Sequence, residues 1–133
     1  ELLYRRSGRV ERSPSVDPVL DRESVLALRQ TPETVRVEDD LCGYVVDLAR
    51  ATRTDRRVEV GVSPRGTQRL FEAVRAKAVL AGREYVTPDD IVDIVDPVFA
   101  HRIILTPDAA VRDVDTATVV AEALDSMPVP TID

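Results

Sequence analysis

The stretch Gly61-Val62-Ser63-Pro64-Arg65-Gly66, followed by the helical run to Ala81-Gly82, decides the fold. Ser63 can accept a hydrogen bond from the first turn as a cap. Pro64 suits the first helical position, where its missing N–H is no loss. Gly82 is a natural stop. Between them Leu70, Phe71, Val74, Ala78 and Ala81 form one apolar stripe, with Arg69, Glu72 and Arg75 read as the other side. At roughly 100° per residue, Arg65 falls opposite the centre of that stripe. A helix start offers unpaired N–H groups and partial positive charge, and an arginine there adds five donors, a combination suited to phosphate. The bland alternative is a solvated arginine on a well-capped helix.

Working outward, the pattern repeats. Thr87-Pro88-Asp89-Asp90 opens a second helix with Ile91, Ile94, Val95 and Val98 inward, and Pro97 is expected to kink or split it. Before the central helix, Leu41, Tyr44, Val45, Leu48 and Thr52 mark one face of a helix over 39–52. Arg22 to Gln30 reads as a helix capped by Asp21, with Val25 and Leu28 on one face, stopped at Thr31-Pro32. Asp115 or Thr116 starts a last helix with Ala117, Val120, Ala121 and Leu124 inward. Short extended segments are expected at 35–37, 58–61, 85–86 and 103–105, and Thr106-Pro107 is expected to open a loop. The fold class is mainly α with a small, short-stranded β element.

Composition limits the chemistry. The 133 residues, 44% hydrophobic, suit one core and are too apolar for a disordered chain. Cys42 and His101 are the only residues of their kinds, so no intrachain disulfide and no four-ligand Cys/His zinc site can be built, and any Ser/His/Asp triad would have to use His101. Cys42 reads as a small packed residue and His101, beside Arg102, as a helix-end histidine. Asp89, Asp93 and Asp96 read as a solvated helix face, and Lys77 as a lysine laid along the apolar stripe. Lys77 is followed by Ala78, so no P-loop ends there. No catalytic residue and no metal ligand is assigned within the chain.

The net charge of −6 argues against nucleic-acid binding, although Arg5, Arg6, Arg9 and Arg12 cluster beside Tyr4. No apolar run is long enough to span a membrane and no secretory signal is read at the start, which implies a cytoplasmic location. The chain begins at Glu1 rather than Met, read as a processed or excised start.

Beyond these readings, Gly61 to Thr67, Ala76-Lys77-Ala78, Gly82 to Ile91, Pro97 to Arg102, and Leu41 to Arg53 with its Ala51-Thr52-Arg53, resemble the C-terminal part of MoxR-family AAA+ ATPases in order and spacing. The resemblance covers most of the chain. It implies an AAA+ C-terminal helical lid over 16–127, preceded at 1–15 by the end of a connecting helix and linker from an ATPase core, and followed by a tail at 128–133. It identifies Ser63-Pro64-Arg65 with the sensor 2 motif, so that Arg65 would reach the γ-phosphate of ATP, with Ser63 and Pro64 at the same helix start. It implies ATP and Mg in the parent protein, and none bound by this chain alone. Its further implications are a ring, hexameric in the family, formed by cores and neighbouring subunits, partners bearing von Willebrand factor A domains, and a chaperone-like role in enzyme maturation, methanol dehydrogenase activation being the case behind the name. Val62 departs from the family's usual alanine, and Pro32 shortens the first helix. A different reading of the same helices is a free-standing, histone-fold-like interaction module, which requires an intertwined dimer.

Overall fold

A computed structural model describes residues 16–130. Its helices are α1 (Arg22–Gln30), α2 (Asp39–Thr54), α3 (Pro64–Leu80), α4 (Pro88–Phe99), α5 (Pro107–Val111) and α6 (Thr116–Asp125). Single 3₁₀ turns, Thr31–Thr34 and Ala100–Arg102, follow α1 and α4. Strands β1 (Val58–Val60) and β2 (Ile104–Leu105) pair antiparallel, Val58 opposite Leu105 and Val60 opposite Ile104, with an irregularity between. A parallel bridge joins Arg36 to Tyr85, so the extended segments expected at 35–37 and 85–86 meet as one bridge rather than as strands.

The core forms where α2, α3, α4 and α6 meet. The expected α2 stripe is buried in full, with Ala49 added. Leu70, Val74 and Ala78 of α3 and Ile91, Val95 and Phe99 of α4 are sealed from solvent. Phe71 is half-buried and Ala81 exposed, so the stripe leaves the core at its C-terminal end and Phe71 lies at its margin. The core closes within one chain, which an intertwined dimer would not require.

Local chemistry sets the helix ends. Ser63 Oγ accepts from Gly66 N at 3.2 Å. Asp21 caps α1, Asp115 caps α6, and Thr87 and Asp90 form a reciprocal capping box on α4. At the end of α3, Gly82 N donates to Val79 O and Arg83 N to Ala78 O, both at 2.9 Å, with Gly82 at φ 71°. This is a Schellman stop, which needs left-handed backbone at Gly82. A Cβ there would meet nothing within 4 Å. Gly82→Ala is therefore expected to cost about 1 kcal/mol through backbone strain alone, read as a lower denaturation midpoint at an unchanged m-value.

Several expectations are corrected. α1 buries none of its residues: Val25 is 43% and Leu28 52% exposed. α4 is not split at Pro97; it continues to Phe99, and Ala100 N still donates to Asp96 O. Pro97 lies on the exposed face, where the carbonyl that loses its donor can be hydrated. Thr106-Pro107 opens the short helix α5 rather than a loop, because Thr106 accepts from Ala109 N as a cap. In α6, Val119 and Val120 are buried while Ala121 is exposed, so the inward face is rotated about a quarter turn from the expected one. Arg75 is 8% exposed rather than outward. Its guanidinium lies 5.3 Å from the Phe71 ring centroid and its Nη1 donates to Glu33 at 3.0 Å.

Candidate functional site

The site is the start of α3. Among the described residues its first-turn backbone donors are nearly all used: Pro64 has none, Gly66 N goes to Ser63 Oγ, and Thr67 N to Ser63 O at 3.0 Å. The Arg65 amide has no acceptor among the described residues, and the exposed Arg65 side chain has no ion-pair partner among them. The exposed arginines nearby on helices are spent locally: Arg50 on Asp47 at 3.1 Å and Arg69 on Glu72 at 2.5 Å. Ser63, the residue immediately N-terminal to the helix, serves as its cap, and Pro64 is the first helical residue.

The backbone before the helix is held tightly. Val62, fully buried, donates its N–H to Thr52 Oγ1 at 3.0 Å and accepts at its carbonyl from Arg53 Nη1 at 2.7 Å. Gly61 lies so close to α2 that a Cβ would fall 2.7 Å from Arg53 Cα. Gly66 lies equally close to Val62 Cγ1, 2.7 Å from a built Cβ, with Arg102 Cδ at 3.2 Å. Arg53 from α2 and Arg102 from the turn after α4 thus flank the helix start from which Arg65 projects. Thr52 and Arg53 were visible in sequence only as a stripe position and part of a resemblance. Their bonds to Val62 span a loop, which no local pattern reveals.

Beside this start, a groove of about 460 Å³ runs between α2 and α3, with Val45, Val46 and Phe71 along it and Arg50 and Arg53 at its edge. Cys42 also lines it. Burial, and then the charge of Asp39, push the Cys42 thiol pKa up, which disfavours the thiolate and fits a packing role. The remaining sequence candidates serve structure. Lys77 reaches across to Asp93. His101 Nδ1 lies 3.0 Å from the Pro97 carbonyl, so it is the protonated nitrogen and donates there. Asp89 and Asp96 are exposed, and no cluster of three or more potential ligands for a metal occurs among the described residues. The Arg5 to Arg12 cluster lies outside the described residues. No helix among the described residues is long and apolar enough to cross a membrane.

The start of α3 is thus a capped helix end in a small helical bundle, with an exposed arginine that has no ion-pair partner among the described residues. Residues 50–123 match the AAA lid domain family, and the chain belongs to it. Its relatives include proteins named MoxR. The chain is 28% identical to the chaperone MoxR1 of Mycobacterium tuberculosis over 99% of its own length and 37% of that protein. It is 39% identical to the protein MoxR of Paracoccus denitrificans over 65% of this chain and 30% of that one. The uncharacterized protein YeaC of Bacillus subtilis is 34% identical over 96% of this chain and 39% of its own length. The chain therefore spans about two fifths of the first two of these bacterial proteins in the order YeaC, MoxR1. A solved structure from Cytophaga hutchinsonii, described as a candidate ATPase, superposes with a TM-score of 0.86 over 98% of this chain and 42% of that chain, at 23% identity, which establishes the shared fold. The family match decides for a MoxR-type lid over the histone-fold-like module.

Proposed function

We propose that the chain is the nucleotide-sensing lid of a MoxR-like AAA+ ATPase and that Arg65 contacts the γ-phosphate of ATP held by the core. The observation that carries the reading is Arg65 itself: exposed in the first turn of α3, without an ion-pair partner among the described residues, on a helix start fixed to α2. A guanidinium at the positive end of a helix favours an anion by charge and by hydrogen bonding. Ser63 holds the helix start and Pro64 sets its first turn; the Arg65 amide is the backbone donor left for a ligand. ATP, with its Mg²⁺, is supplied by the core in this reading, and the lid contributes the arginine alone. Such a contact couples the presence of the γ-phosphate to the position of the lid.

The same reading extends to the assembled protein. It is a ring-forming ATPase, hexameric as the resemblance implies, with a chaperone-like role in maturing partner enzymes, cytoplasmic, and able to work with proteins carrying von Willebrand factor A domains. The support is the MoxR1 relative, described as a chaperone.

The test compares two nucleotides on the full-length protein. Arg65→Ala is expected to weaken ATP binding by about tenfold or more, the loss of one charged contact, and to leave ADP binding unchanged. Equal affinities for ATP before and after the substitution, or an equal loss for ATP and ADP, would contradict a γ-phosphate contact.

A further inference from the structure

We propose that Thr52 and Arg53 are positioning residues that fix where Arg65 points. The proposal rests on the reading of Arg65 as the phosphate contact and adds the machinery that holds it. Val62 is the residue immediately before the cap of α3, and both of its backbone polar groups are bound by consecutive residues of α2. Its N–H goes to Thr52 Oγ1 at 3.0 Å and its carbonyl to Arg53 Nη1 at 2.7 Å. Thr52 is 1% exposed and donates its own hydroxyl hydrogen to Ala49 O at 2.8 Å, so the lone pair offered to Val62 has a fixed direction. Gly61 rests on the Arg53 backbone and Gly66 rests on the Val62 side chain, with no room for a Cβ at either place. Within Gly61 to Gly66, Val62 and Gly66 are buried against α2 and the turn after α4, while the Arg65 side chain projects to solvent.

The reason this matters is angular. A slip of one residue in the register of α3 against α2 would turn its side chains by roughly 100°. The connection from α2 to α3 contains a turn and β1, whose register is irregular, so it does not define the start of α3 by itself. The two bonds from α2 bypass that connection. A displacement of about 1 Å in a group that meets a reacting phosphate is enough to lower a rate by up to ~100-fold. Lysine at 53 can make one bond to the Val62 carbonyl, whereas alanine can make none.

The experiment measures ATP turnover by the full-length protein carrying Arg53→Ala, Arg53→Lys, Arg65→Ala, and Arg53→Ala with Arg65→Ala. Arg53→Ala is expected to lower kcat by about tenfold or more, Arg53→Lys to restore most of it, and the double variant to be no slower than Arg65→Ala alone. Losses that multiply in the double variant, or normal turnover in Arg53→Ala, would overturn the proposal. Normal turnover in Arg65→Ala would instead remove the phosphate reading. In that case the positioning is read by amide NMR on the 133-residue chain. Arg53→Ala and Thr52→Val should shift the Ser63 to Thr67 amides and speed the exchange of Gly66 and Thr67, while Arg53→Lys and Thr52→Ser should change them much less. Unshifted amides in Arg53→Ala and Thr52→Val would overturn it.

Discussion

Asp90→Ala is expected to destabilise the domain by about 3 kcal/mol and to lower its thermal midpoint by roughly 10 °C. Asp90 is the N3 residue of α4, and its side chain is 2% exposed. Its carboxylate accepts from Arg83 at 2.7 and 2.8 Å, from Thr87 N at 2.9 Å and from Thr87 Oγ1 at 3.0 Å. One side chain thus closes the capping box, anchors the segment leaving α3 and neutralises a half-covered guanidinium. Alanine would leave the Arg83 guanidinium with the Tyr85 carbonyl but no counter-charge, and the Thr87 amide without its acceptor. Burial by itself would raise the Asp90 pKa. The Arg83 hydrogen bonds, then those of Thr87 and the Arg83 charge, outweigh it and hold the carboxyl below its ordinary range. A lowered folded pKa means that this stabilisation is complete above the unfolded value, near 4, and is lost as pH falls through the folded value. Thermal melts between neutral and acid pH should show the parent losing stability below about pH 4, and Asp90→Ala showing a shallower loss there. Equal slopes, or a midpoint within a degree of the parent at neutral pH, would contradict the role given to Asp90.

Phe99→Ala is expected to cost about 4 kcal/mol. Phe99 is fully buried at the end of α4 and is the largest side chain sealed in the core. Around it the chain passes from α4 into a 3₁₀ turn and then to β2, just after Pro97 has removed one helical hydrogen bond. The cavity left by alanine would open between α4 and the elements packed on it, where little of the backbone can collapse inward. Phe99→Leu keeps most of the volume and should cost roughly 1–1.5 kcal/mol. Denaturant unfolding distinguishes the two. A loss below about 1 kcal/mol for alanine would show that the end of α4 is more loosely packed than described.

The three central helices were legible because each carries its own start signal and stripe. Ser63-Pro64 and Thr87-Pro88 place two starts without reference to the rest of the fold, and Leu41 to Thr52 shows its period over about three turns. Less legible was the direction in which a short helix faces. α6 has the expected period, but its phase is set by its packing against both α2 and α4, and that packing selects Val119 and Val120 over Ala121. Arg75 was misread for a related reason. It sits on the flank of α3 rather than opposite the stripe, and its cover comes from Phe71 and from Glu33, forty-odd positions away in sequence. Thr106-Pro107 carries the same threonine-proline signal as Thr87-Pro88, yet only one short turn of helix follows before Asp113 takes φ 55°. At the site, the side of α3 on which Arg65 lies could be read from helical periodicity. The Thr52 and Arg53 bonds to Val62 could not, because they join residues across a loop whose path is a property of the folded chain.

The central claim is that Arg65 of this lid takes part in ATP hydrolysis. Its most direct measurement is steady-state ATP turnover by the full-length protein with Arg65→Ala, set beside Arg69→Ala, which alters an exposed arginine paired with Glu72 one turn further along the same helix. Arg65→Ala should lower kcat by about 100-fold while Arg69→Ala stays near the parent value. Equal turnover in the parent and in Arg65→Ala, with both folded and assembled alike, would contradict the account.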